Sequence, residues 1–555
     1  MNCFVMVVLV IVVAGAAIVG VIGNSGNNVS KPDSAAADGD IAGPRKDIVP
    51  IVPGAKPAIP DGDWGNGVDV FLRTTEPTRA MTPIPTSVLS TIDTTSNPTS
   101  IPTYRPSSSP SLSHLPSKEP TSSPTSVYQT TSFTQIDKKL SGKEGGFQFG
   151  YSTALSSDGK VLAVGSRYAD DNGPRSGEVR VFVLSPKNKW EQLGNTIKGR
   201  NEADQFGFSV ALSSDGLTMA ASEPGFDGEA GDRSGNVRIF RYDSDEPKEY
   251  GTNGSWAKTG DLSGEDSTAL FGVSISLSGD GSRLAVGAPY HDSDELDEMG
   301  EPLRKAGRVR VFEYTNEEWS PLGQPIGGKS PSSWWGWSVD LSADGDFFAA
   351  GAIRHVSGGY VQVYKLGNDD GTGDKVWRQL GSDLYSKDVL SDGNEGRLDD
   401  KFGHAVSLSG NADRIIVGCP NSDLNGRTNA GMAVVYQRTT TSGEQDTVWA
   451  AIGKPIVGKS NNAEAGWSVA IASDNYSQII VGAPGDSTVK DGAGSATSLR
   501  WNGDALEWEP ARPIYGEKKD EEYGSSVAIS ADGNIMGVGA PSGESERGFV
   551  GVYAY

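Results

Sequence analysis

From Phe149 onward the chain alternates apolar runs with short polar turns, and the order of the runs repeats. Each repeat opens on an aromatic-Gly pair and continues as an alternating apolar/small run. It breaks at a Ser-x-Asp-Gly turn, resumes as an unbroken apolar run ending near Gly-Ala-Pro, crosses a polar loop and ends on an alternating Val-x-Val-Phe/Tyr run. The stretch from Phe271 to Tyr314 carries the pattern in full. The openings are Phe149-Gly150, Phe206-Gly207, Phe271-Gly272, Trp335-Gly336, Phe402-Gly403, Ala465-Gly466 and Tyr523-Gly524, spaced 57, 65, 64, 67, 63 and 58 residues apart. Period-two alternation predicts strands with one more buried face, and unbroken runs such as VLAVG, RLAVGA and RIIVGC predict strands covered on both faces. The Asp-Gly pairs supply the positive φ that a tight hairpin needs. A fourth strand is marked in six units by Trp190, Trp256, Trp319, Trp377, Trp449 and Trp508.

The last unit ends at Tyr555, just after its third strand, while FTQIDKKLSG at 133–142 matches the fourth-strand sequence WAKTGDLSG that precedes the third unit. The N-terminal strand is therefore expected to complete the last unit and close a ring, which removes exposed sheet edges. An open solenoid would need capping repeats, and the sequence offers none. The predicted fold is all-β: a seven-bladed β-propeller of four-stranded blades over 128–555, closed by an N-terminal strand.

Upstream the pattern changes twice. Residues 4–23 are uncharged and apolar, long enough for a membrane anchor and equally suited to a signal peptide, so 1–23 is assigned to one of the two. Residues 24–127 are expected to form a disordered stalk, because 33 of the 50 residues from Pro77 to Ser126 are Ser, Thr or Pro. Both features place the head at the cell surface or in the secreted fraction, with any membrane contact confined to the N-terminal segment. Asn28, Asn253 and Asn475 lie in N-x-S/T sequons and are glycosylation candidates. A formal charge of −23 excludes nucleic acid as a partner, since phosphate binding needs clustered Lys and Arg. With Cys3 and Cys419 the only cysteines, no disulfide framework is available.

The Phe-Gly opening followed by Gly-Ala-Pro, as in Phe271-Gly272 and Gly287-Ala288-Pro289, resembles the FG-GAP repeat of integrin α-subunit propellers. The resemblance spans all the units. Gly482-Ala483-Pro484 and Gly539-Ala540-Pro541 keep its second half, whereas Gly165-Ser166-Arg167, Ser222-Glu223-Pro224 and Gly351-Ala352-Ile353 depart from it. It implies a propeller used for cell adhesion. The calcium loop that such repeats often carry between the first two strands is not matched, because a turn with one carboxylate cannot supply the oxygens that calcium prefers. Asp158, Asp215, Asp280, Asp344 and Asp532 are read as turn residues, and no cofactor is expected. Asp292, Asp294 and Asp297, in the loop between the second and third strands of unit three, are the weak metal candidates.

Propeller topology puts the varied loops on one face, where binding usually resides. Ligand candidates there are Asp170 and Asp171, Asp399 and Asp400, and Trp334, an additional tryptophan before the Trp335 of the repeat and a contact anchor if exposed. The four histidines form no catalytic motif with other residues. The head is expected to be a recognition or adhesion module for a protein or glycan and not an enzyme. A carbohydrate-active propeller enzyme using loop carboxylates and a structural surface protein are the alternatives.

Overall fold

Unbroken apolar strands need cover on both sides, and the computed structural model supplies it by stacking twisted sheets around one axis. The structure describes residues 12–13, 16–17, 133–243, 254–293, 295–296, 299–369, 371–389, 397, 399–440, 447–473 and 477–555. The candidates Asp294, Asp297, Asn28, Asn253 and Asn475 lie outside the described residues, as does the Ser/Thr/Pro-rich stretch. The chain divides into Met1–Ala55 and Lys56–Tyr555. In the first unit Val12–Val13 pairs antiparallel with Ala16–Ala17. No helix among the described residues is long and apolar enough to cross a membrane.

The second unit holds a seven-bladed propeller. Blade one runs Phe149–Leu155, Val161–Ser166, Glu178–Leu184 and then Trp190–Gln192 with Ile197–Lys198, each strand antiparallel to the last. The innermost strands of the other blades are Val210–Leu212, Ser274–Leu277, Trp335–Leu341, Val406–Leu408, Ser468–Ile471 and Ser526–Ile529, and each contacts its neighbours to close a ring. Second strands such as Val161–Ser166 and Arg414–Cys419 are buried throughout, as their unbroken apolar sequences predict. All six marker tryptophans lie on fourth strands. Trp256, Trp377, Trp449 and Trp508 each donate the indole N–H to a backbone carbonyl of the preceding blade, at Leu193, Leu322, Leu380 and Ile452.

The ring closes as expected. Thr134–Gln135 and Leu140–Ser141 pair with Phe549–Ala554, the third strand of blade seven. Ile136 N donates to Val552 O at 2.8 Å between the two stretches.

The two halves of the repeat motif meet across the blade seams. Gly418, the second-strand glycine of blade five, packs directly on the carbonyl of Gly466, the opening glycine of blade six; Gly287 does the same to Gly336 and Gly539 to Gly150. A side chain on either partner would hold the blades apart. On the opposite, short-turn face each Asp clasps its own turn. Ser156 Oγ donates to Asp158 Oδ1 at 2.7 Å, which also accepts Lys160 N at 2.9 Å. Asp215, Asp280, Asp344 and Asp532 repeat the arrangement. Adjacent turns are stitched by backbone bonds, Ser157 N to Ser214 O, Ser214 N to Gly279 O and Gly279 N to Ala343 O among them.

Candidate functional site

The long-loop face is built on a feature that the backbone repeats. The residue before each opening pair has positive φ: Gln148, Gln205, Leu270, Trp334, Lys401, Glu464 and Glu522, at +54° to +58°. A non-glycine residue in this region is held by its surroundings. The residues three places later, just after the glycine, are Tyr151, Phe208, Val273, Trp337, His404, Trp467 and Ser525. Many of them meet side by side. Tyr151 lies 5.2 Å from Phe208, Trp337 6.0 Å from His404, and His404 4.5 Å from Trp467. They form an apolar collar in six blades, and blade seven contributes only a serine.

Trp334 belongs to this construction, so the exposure on which a contact-anchor role depends is not met, and it packs between blades instead. It is 7% exposed, packed on Trp337 at 5.7 Å and Tyr290 at 4.8 Å, with the Arg354 guanidinium 4.6 Å over its ring. Around His404 the chemistry is that of a desolvated site. Burial, reinforced by Lys401, lowers the imidazole pKa to about 3. Burial also lowers Lys401 and raises Glu464, against their mutual attraction.

Next to the serine gap, between blades seven and one, lies a cleft of about 730 Å³. One wall carries Gln148, Tyr168, Asp170 and Arg175; the other carries Lys518, Asp520, Glu522 and Glu544. Its floor is rigid. Arg167 donates from Nε to Gln148 Oε1 at 2.7 Å and packs over Tyr151 at 3.9 Å and Tyr168 at 4.4 Å, while Arg175 lies 4.6 Å over Tyr168. Glu522 Oε2 accepts from Ser542 Oγ at 2.7 Å, so the second wall is positioned as well. The cleft thus presents carboxylates and cations together on a packed base, an arrangement able to hold a hydroxyl-rich ligand and to move protons at it.

Of the residues singled out from sequence, only Asp170 lines this cleft. Its Oδ1 accepts Arg175 N at 2.7 Å, and the same loop clasp recurs as Asp227 to Arg233 N, Asp292 to Lys305 N and Asp423 to Asn429 N. Asp292, offered as a metal candidate, is therefore engaged as a loop clasp. Asp171 pairs with Lys198 Nζ at 2.9 Å, and that bond holds its carboxyl below the usual range. Asp399 is exposed, whereas Asp400 is buried, accepts Arg397 N at 2.8 Å and is raised in pKa by burial. These candidates share a face but not a site. Among the described residues no three His, Cys, Asp or Glu side chains are grouped to hold a metal ion.

Sequence reading passed over Gln148, Tyr168, Glu522 and Glu544. Position relative to the aromatic-Gly pair could have picked out Gln148 and Glu522, since that position is repeated in every blade. It also passed over a buried charge at the seam of blades one and two. There Glu223 meets Arg238 at 3.3 Å and Asn236 Nδ2 at 3.0 Å, and burial outweighs Arg238 and Arg200 to raise its pKa to about 7.

No family model and no curated protein matches the chain. Among solved structures it is similar to a "putative 6-phosphogluconolactonase" from Bacteroides uniformis ATCC 8492, at 12% identity over 67% of this chain and 87% of that one, with a TM-score of 0.41. It is also similar to the periplasmic gluconolactonase of Pseudomonas aeruginosa, at 15% identity over 66% and 88%, with a TM-score of 0.40. Both neighbours are described as lactonases rather than as integrin-type heads. These descriptions run against the expectation of a non-enzymatic head, which is corrected to that extent. At these identities neither neighbour carries a substrate over to this chain.

Proposed function

We propose that this propeller is a carbohydrate-active protein that seats a saccharide in the cleft between blades seven and one and acts on it with the cleft carboxylates. One observation carries the reading: carboxylates and cations converge on a positioned floor in a cleft of about 730 Å³, within the range that holds small ligands. Sugar hydroxyls suit such a lining, because each can donate to a carboxylate and accept from a Lys or Arg. Glu522 and Glu544 are assigned as the acid–base pair, with Asp170 and Arg175 as binding groups. The apolar segment 4–23 and the Ser/Thr/Pro-rich stretch support display of this head outside the cytosol, in the manner that the FG-GAP-like pattern suggests for integrin-type heads.

A second reading, recognition of a protein partner without turnover, is favoured by the exposed Leu296, Met299 and Val356 on the same-face loops of blades three and four. The test is the full-length chain on a glycan array, followed by assay of the bound glycans for product release. Saturable binding, with turnover reduced at least about 100-fold in Glu522→Gln and Glu544→Gln, is the expected result. Binding without turnover would move recognition to first place. No glycan binding, or binding indifferent to Asp170→Ala and Arg175→Ala, would sink the saccharide reading.

A further inference from the structure

The axial channel has a second chamber, at the short-turn end, away from the collar and the cleft. It is an open bowl of about 260 Å³, lined by the inner strands of all the blades. One position of each inner strand forms a ring there: Ala154, Ala211, Ser276, Asp340, Ser407, Ala470 and Ala528. Six of these are alanine or serine. Among the described lining residues Asp340 is the one titratable side chain, and none of them is a Lys or Arg to balance it.

The carboxylate is held in place by its neighbours. Ser276 Oγ donates to Oδ1 at 2.7 Å, Leu341 N to Oδ1 at 3.1 Å, and Leu408 N to Oδ2 at 2.7 Å. These donors, from blades three, four and five, orient the charge but do not cancel it. A carboxylate half-withdrawn from water among Ala, Leu, Ile and Ser side chains favours a proton or a cation as its partner beyond these donors.

We infer that the short-turn chamber is a binding site for a small alkylammonium ion, its ammonium on Asp340 and its apolar body against the alanine ring. The Ser276 and Ser407 hydroxyls flank the carboxylate and add oxygens for the remaining N–H groups. A divalent ion is a poor fit, because one carboxylate and two hydroxyls fall short of the six to eight oxygens that calcium takes. Burial raises the Asp340 pKa to about 6, so the chamber carries its charge at neutral pH and loses it on acidification. Among the described lining residues no other group titrates, so the Asp340 proton sets their pH dependence.

The probe is n-butylammonium chloride, titrated calorimetrically into the full-length chain at pH 7.5 against sodium chloride of equal ionic strength. Saturable binding is expected, weakened about tenfold or more in Asp340→Asn and on lowering the pH to 5. Ala154→Leu, which narrows the chamber without touching the carboxylate, should weaken binding as well, and it decides the matter if Asp340→Asn fails to fold. Binding no different from sodium, or binding unchanged in either folded variant, overturns the proposal.

Discussion

Single residues here are tuned by where the ring puts them. His404 sits between Trp337 and Trp467, its Nδ1 3.0 Å from Trp467 O, and is held neutral with a pKa of about 3. Its folded pKa lies below its unfolded value of about 6.5, so the unfolded chain takes up the proton first as the pH falls. The stability that the neutral imidazole contributes is complete above about pH 6.5 and is lost progressively toward pH 3. A His404→Phe variant should therefore lose less of its melting temperature than the natural chain between pH 6.5 and pH 4, as read by calorimetry. Glu223 has the opposite sign, because its raised pKa makes the folded state the tighter proton binder between about pH 4.5 and 7. None of this was legible in the sequence. A histidine after an aromatic-Gly pair looks the same whether its ring meets solvent or two tryptophans, and residues more than sixty positions apart decide which.

At the level of elements, far more could be read beforehand. Strand periodicity, Asp-Gly turns and the fourth-strand tryptophans are local features, and each is where the pattern put it. What the repeat could not reveal is why its two glycines go together: they are opposite sides of a seam between different blades. Gly418→Ala would drive a methyl group into the Gly466 carbonyl and should cost about 1–3 kcal/mol in urea unfolding. Gly503→Ala, on an exposed turn with nothing closer than the Trp501 indole at 3.9 Å, serves as the control and should be near neutral. The cleft was hidden for the same reason as the seams. Its walls come from both ends of the domain, Gln148 and Tyr168 on one side, Glu522 and Glu544 on the other, and only closure of the ring brings them face to face.

For the whole molecule, that closure rests on ten residues. A chain beginning at Phe133 retains the closing strand, whereas one beginning at Lys143 leaves the edge of Phe549–Ala554 unpaired. The shorter chain should aggregate or unfold at lower urea, and adding the 133–142 peptide should restore the longer chain's midpoint; light scattering and urea titration check both. The closing strand also fixes how load enters the head. Thr134 lies opposite Ala554 at the short-turn end and Ser141 opposite Phe549 at the long-loop end, so the chain arrives from behind and runs forward. Traction on the N-terminal segment pulls along that strand, stressing its cross-strand bonds together in shear instead of peeling them singly. A chain held at Phe133 would be fastened by the back of the head, with its cleft turned away from the pull.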